Sequence, residues 1–245
     1  MQTVDIASMK QQIATHWGIR AETLDVSDWH VAKSEREERA WDRVFRRHLP
    51  AGERLRVLDL GTGLGYLAGV AARLGHDAVG IDIAPRMIER ARERAERLDL
   101  TIDLRVADVD RLPFPDGSFD AVSERNVLWT MPDPPAALAE IARVLRPGGH
   151  LLLMESRWLE RPTDIPESPA GGGPNMHEHY HAFRSQLPLL GGPTAPQLAA
   201  LVARHGYRDA IVDRLRGVYE ARVAYKAEMA RERGRRPYLI RAVRA

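Results

Sequence analysis

The chain has 245 residues, 44% of them hydrophobic, which is enough for one α/β folding unit with an appendage. It contains no cysteine, which excludes disulfides, thiolate metal sites and a cysteine nucleophile. The formal charge is only +2 at a pI near 9.1. Arginine carries almost all of the basic character, lysine standing only at Lys10, Lys33 and Lys226.

Residues 1–50 read as an amphipathic helical cap with Trp17, Trp29 and Trp41 spread through a charged background, closed by Pro50-Ala51-Gly52. Met1 to Lys10 lacks the basic-then-apolar layout of a signal peptide, and no stretch reaches the roughly 20 apolar residues of a membrane helix. A cytoplasmic protein with no membrane partner is expected. From Leu55 the pattern becomes short apolar runs separated by helical stretches, the signature of βαβ units and a parallel sheet over residues 51–245. Strands are expected at Leu55–Leu60, Ala78–Asp82, Thr101–Val106, Phe119–Ser123 and His150–Glu155. Helices are expected at Leu64–Leu74, Pro85–Leu98 and Pro134–Leu145, the last stopped by Pro147-Gly148-Gly149. In the second of these, arginines alternate with Glu89, Glu93 and Glu96 at helical spacing, so mutual pairing accounts for them. The tail from Arg231 to Arg244 is more one-sided, but no aromatic-basic RNA-binding motif accompanies it, and nucleic acid is not expected as a partner.

Residues 157–196 break the rhythm with many Pro and Gly, as a lid or binding insert does. A helix at Ala195–His205, a strand at Tyr207–Val212, a helix at Tyr219–Glu232 and a strand at Pro237–Val243 complete the chain.

The chemistry concentrates in Val57-Leu58-Asp59-Leu60-Gly61-Thr62-Gly63-Leu64-Gly65, an apolar strand running into a glycine turn and a helix. Glycines there allow a tight turn and let a ligand approach main-chain N–H groups. A dinucleotide fingerprint needs its third glycine at the position of Tyr66, and Asp59 puts negative charge where a pyrophosphate would lie. That charge suits an ammonium or sulfonium ligand. Asp82 ends the second strand, 21 residues after Gly61, where a carboxylate can accept from both ribose hydroxyls. Asp108 follows the third strand and could accept from an adenine amino group. Three acids at three successive strand ends converge on one crevice.

With these motifs the chain resembles the class I S-adenosylmethionine-dependent methyltransferases, especially the subgroup similar to the quinone-biosynthesis C-methyltransferases. The resemblance rests on Val57 to Gly65, Gly80 to Met87, Leu112-Pro113-Phe114 with Ser118 to Val122, and Leu145 to Gly149. It implies a Rossmann-like, doubly wound seven-stranded sheet, mostly parallel with an antiparallel last strand. It also implies that Asp59, Gly61, Thr62 and Gly63, with Gly65 closing the turn, hold the methionine part. Asp82, Ile83 and Met87 would hold the ribose and adenine, Asp108 and Val109 the adenine edge, and Arg125 and Asn126 would line the cleft beside the sulfonium. The implied cofactor is S-adenosyl-L-methionine, with S-adenosyl-L-homocysteine as product.

The acceptor, a small molecule, should be met by the cap and the insert. His177, His179, Tyr180 and His181 in the insert are candidates for a base or for orienting an acceptor hydroxyl, against an exposed loop that does nothing. Trp129, Trp41, Trp29 and His30 are candidates for the pocket wall, against plain packing. No further ligands at metal-binding spacing accompany the histidines, so no metal is expected. A nicotinamide-dependent oxidoreductase, a non-catalytic binder of the same cofactor, and an RNA or protein methyltransferase are the competing readings. A monomer or a homodimer fits equally.

Overall fold

A computed structural model of the chain describes residues 4–23, 31–157, 180–227 and 237–245. In chain order these form α1 (Ile6–Thr23), α2 (Glu35–His48), β1 (Arg56–Leu60), α3 (Tyr66–Arg73), β2 (Asp77–Asp82), α4 (Pro85–Arg97) and β3 (Ile102–Val106). There follow β4 (Phe119–Arg125), α5 (Pro134–Val144), β5 (Leu145–Glu155), α6 (Ala195–Ala203), β6 (Tyr207–Asp213), α7 (Arg216–Ala227) and β7 (Tyr238–Arg244).

The strands form one seven-stranded sheet in the order β3-β2-β1-β4-β5-β7-β6. The first five pair in parallel, and β7 runs antiparallel to both of its neighbours. The expected Rossmann-like α/β fold is what forms. Asp59 on β1 stands opposite Gly80 on β2 and opposite Ser123 on β4. The strand order reverses at this seam, so the crevice of the sheet opens at the carboxyl ends of β1 and β4.

Alternation along the strands supplies two apolar faces. Leu58, Leu60, Val122, Leu151 and Leu153 pack with Leu138 and Ile141 of α5 and Leu198 of α6. Val57, Ala121, Leu152 and Met154 pack with Trp41 and Phe45 of α2 and Leu67 and Val70 of α3. The expected cap therefore divides. Helix α2, started by Ser34 accepting from Glu37 N, belongs to the main core.

Helix α1 instead lies across the carboxyl ends of the strands. Its Met9 and Ile13 pack with Trp129, Tyr180, Phe183, Leu187 and Leu190, and Ala21 packs with Leu64, Ala84 and Met87. Glu22 pairs with Arg86 of α4. Gln186 exchanges two 2.8 Å hydrogen bonds with the backbone of Val4. The described part of the insert is thus packed against α1, with a short 3₁₀ turn at Arg184–Gln186. No helix among the described residues is long and apolar enough to cross a membrane.

Pro147-Gly148-Gly149 does not stop a helix. Helix α5 ends at Val144 and β5 starts at once. The pairing jumps from Phe119↔Leu145 to Ala121↔His150, so the intervening residues bulge out, with Gly148 at φ 76°. Proline and glycine mark a bulge as well as an end, and sequence alone does not separate the two. Helix α7 likewise begins three residues before the expected Tyr219.

Candidate functional site

The turn after β1 is left-handed at Gly61, Gly63 and Gly65. At Gly61 a side chain is also excluded by space, since a Cβ would come within 2.4 Å of Val127 Cγ2. Asp59 sits beneath this turn, almost fully buried. Its Oδ2 accepts from Thr62 Oγ1 at 2.7 Å and Ala68 N at 3.2 Å. Its Oδ1 accepts from Ser123 Oγ at 2.9 Å. Burial pushes the carboxyl up to about 6, opposed by the hydrogen bonds from Thr62 and Ser123 and by the nearby Arg125 charge.

Asp82, at the end of β2, accepts from Gly63 N at 3.0 Å and from Ala84 N at 2.9 Å. It ties the glycine turn to the start of α4, where Pro85 opens the helix. Burial raises this carboxyl to about 6 as well.

Arg125 ends β4 on the same side of the sheet as Asp59. Its guanidinium lies 5.4 Å from the Trp41 ring centre and 5.2 Å from that of Tyr66. Burial lowers it to about 10. A cavity of about 30 Å³ lies here, lined by Asp59, Gly61, Thr62, Gly63, Leu64, Leu67 and Arg125.

The adenine side is reached by α1. Lys10 Nζ lies 2.5 Å from Asp108 Oδ2 and 2.6 Å from Asp110 Oδ2. Burial works against the ammonium, but the bonds to both carboxylates outweigh it and raise its pKa. Met87, Val109 and Ile83 stand nearby in the chain as apolar groups, the first two buried and Ile83 half-buried against the Trp129–Tyr180 cluster. Asn126 takes a left-handed φ of 58°. Its N–H donates to Met154 O at 2.9 Å, and its Oδ1 accepts from Ser156 Oγ at 3.1 Å.

The acceptor candidates scatter. Trp129 and Tyr180 are buried with ring centres 5.4 Å apart, and His16 meets Tyr180 edge-on at 5.3 Å. Burial raises the Tyr180 hydroxyl far above its ordinary value, with the Asp82 charge adding to the rise. Tyr180 is packed inside this aromatic cluster. Trp41 faces Tyr66 and Arg125 inside the core, so it supports the guanidinium instead of lining an acceptor pocket. His181 is exposed beside Arg184. His177, His179, Trp29 and His30 lie outside the described residues.

Sequence reasoning passed over Ser123, Tyr66 and Lys10. Ser123 could have been found as a lone hydroxyl inside an apolar strand, and Lys10 as one of only three lysines.

Residues 58–153 match the methyltransferase domain family. This stretch is similar to a methyltransferase domain. The demethylmenaquinone methyltransferase of Thermus thermophilus is 40% identical over 139 residues, covering 56% of this chain and 58% of that enzyme. The ubiquinone biosynthesis O-methyltransferase of Xanthomonas oryzae is 42% identical over 99 residues, 40% of this chain and 41% of that one. The matched stretch thus spans only about half the length of these curated relatives.

An S-adenosylmethionine-dependent methyltransferase structure from Mesorhizobium loti superposes with a TM-score of 0.59 at 25% identity, over 84% of this chain and 98% of that one. One from Aquifex aeolicus gives 0.61 at 17% identity over 93% and 98%, which bears on the fold alone. The matched stretch runs from within β1 to within β5 and includes Asp59, the glycine turn, Asp82 and Arg125. Helix α1 and residues 180–192, which close over the cleft, fall outside the matched stretch.

Proposed function

We propose that the protein transfers a methyl group from S-adenosylmethionine to a small aromatic acceptor. The observation that carries this is the pairing of an acid and a base around one glycine-floored cavity: Asp59 and Arg125 both line it. The methionine part of the cofactor is a zwitterion. Its ammonium would be met by Asp59 and its carboxylate by Arg125, while a pyrophosphate would meet the buried Asp59 charge with no compensating gain. Asp82 is placed for the ribose hydroxyls, and Asp108, held by Lys10, for the adenine amino group.

The bound cofactor supplies an electrophilic methyl; the acceptor–carbon bond forms as the sulfur–carbon bond breaks, and the electron pair returns to sulfur. The chain's contribution is alignment and exclusion of water. Val127, packed on Gly61, and the Leu128–Thr130 turn wall the cleft on one side. Helix α1 and the buried Tyr180–Phe183 cluster cover it on another. This enclosure suits a small molecule better than a tRNA or protein surface. The buried aromatic cluster of Trp129, Tyr180 and Phe183 beside the cleft, with relatives named for quinone biosynthesis, supports an aromatic or quinol-like acceptor.

Calorimetry with S-adenosylhomocysteine and with NADH tests the cofactor: tight binding of the first and none of the second is expected, and the reverse overturns the reading. Radiolabelled methyl transfer to a panel of phenols and quinols, with small amines and a tRNA pool beside them, tests the acceptor. Transfer to tRNA alone would overturn the small-molecule assignment.

A further inference from the structure

Two carboxyl groups that the reaction above does not use are buried side by side beneath the cleft. Glu124 on β4 and Glu155 on β5 are each about 1% exposed. Ser123 and Arg125 point to the Asp59 face of the sheet, so Glu124 between them points to the other. Glu124 is in register with Leu153, and Glu155 lies two residues further along on that same face. Diagonal neighbours at this spacing bring long side chains together.

Glu124 Oε2 accepts from Val127 N at 2.9 Å. Neither carboxyl forms an ion pair among the described residues. The titratable groups whose charge reaches them are Asp59 of β1 and Arg125 of β4, both on the other face of the sheet, and Tyr238 of β7 opposite Glu155. Tyr238 spends its own hydroxyl on Pro193 O at 2.7 Å.

We propose that Glu124 and Glu155 are positioning residues, a buried carboxyl pair that holds residues 126–130 against the glycine turn and so fixes the wall of the cofactor cleft. The segment they hold is the one whose Val127 methyls occupy the space beside Gly61 and whose Trp129 stacks on Tyr180. Two like charges cannot both persist so close in a low dielectric, so the pair holds at least one proton at neutral pH. Burial raises Glu124 to about 8. Burial and then the Glu124 charge raise Glu155 well above the ordinary carboxyl range. When that last proton leaves, repulsion loosens the loop, and cofactor affinity falls with it.

The test rests on the cofactor reading above and measures S-adenosylhomocysteine affinity of the full chain by calorimetry between pH 6.5 and 9.5. The wild-type affinity is expected to hold to about pH 8 and then to fall by up to about tenfold per pH unit. Glu155→Gln keeps the shape and a permanent N–H donor to Glu124. It should bind at pH 7 within about threefold of wild type, yet lose the alkaline fall. Parallel profiles in the two proteins would overturn the pairing.

Infrared spectroscopy at pH 7 gives a second readout that needs no ligand. The carbonyl band of a protonated carboxylic acid is expected in the wild-type chain and should weaken and shift in Glu155→Gln, where Glu124 alone remains. Its absence from the wild type would also overturn the proposal. Should the wild type fail to bind at pH 7, the cofactor reading falls, while the infrared band still decides the pairing.

Discussion

Ser123 Oγ donates to Asp59 Oδ1 at 2.9 Å across the seam between β4 and β1, at the point where the strand order reverses. One hydroxyl therefore fixes the acid on which the methionine end of the cleft depends. Ser123→Ala leaves a buried carboxyl short of a donor, which costs about 1–3 kcal/mol. The expected result is a lower urea midpoint together with weaker S-adenosylhomocysteine binding. A variant with unchanged midpoint and affinity would remove Ser123 from the site.

Arg125→Met keeps much of the side chain's bulk between Trp41 and Tyr66 but removes the charge. S-adenosylhomocysteine should then bind at least about tenfold more weakly, because a hydrogen bond to a charged group contributes about 1.5–3 kcal/mol. Methylthioadenosine, which has no amino-acid part, should bind both proteins alike. Equal losses for the two ligands would mean that the substitution only disturbs the core.

Asp82→Ala removes the tie between Gly63 N and Ala84 N as well as the proposed ribose acceptor. A rise of at least about tenfold in the dissociation constant is expected from the lost charged hydrogen bonds, along with a lower melting temperature. An unchanged constant for adenosine would end the ribose assignment.

Asp59 and Asp82, both raised by burial to about 6, give the apo chain a definite pH dependence. An unfolded aspartate ionises near 3.9, so the folded state keeps these protons where the unfolded chain has lost them. Their contribution to stability is complete below about pH 4 and is lost as the pH rises through about 6. A sulfonium ligand prefers both groups ionised, so S-adenosylmethionine affinity should climb over the same interval, with proton release measurable by calorimetry in two buffers of different ionisation enthalpy. A flat profile from pH 5 to 7 contradicts this.

Lys10→Ala cuts the link between α1 and the Asp108–Asp110 turn. The groups are partly exposed, so little stability should be lost. Stopped-flow release of S-adenosylhomocysteine should quicken, and the wild-type rate should approach the variant's at high salt. Identical release rates at low salt would show that α1 does not retain the ligand.

The succession of strands and helices and the glycine turn were legible in the sequence because each depends on local pattern: an apolar run, a turn residue, an amphipathic stretch. Asp59 and Asp82 were legible for the same reason, standing at strand ends next to glycines. Glu124 and Glu155 were not, since nothing in Ser-Glu-Arg-Asn or Met-Glu-Ser says that two strands 30 residues apart will lay these side chains on one face. Trp41 and Trp129 look alike as lone tryptophans, and only packing assigns one to the Arg125 support and the other to the aromatic cluster. The Lys10–Asp108 contact joins residues 98 apart, a distance over which no periodicity carries information.

The contact between Gly61 and Val127 couples two positions that otherwise belong to separate loops. Enlarging the first residue demands that the second shrink, so Gly61→Ala should be partly rescued by Val127→Ala and by no change elsewhere in the turn. Rescue stays incomplete because the left-handed backbone at position 61 penalises any β-carbon. The pair behaves as a lock with one permitted key size, and a library randomised at both sites should return functional clones only along that compensating diagonal.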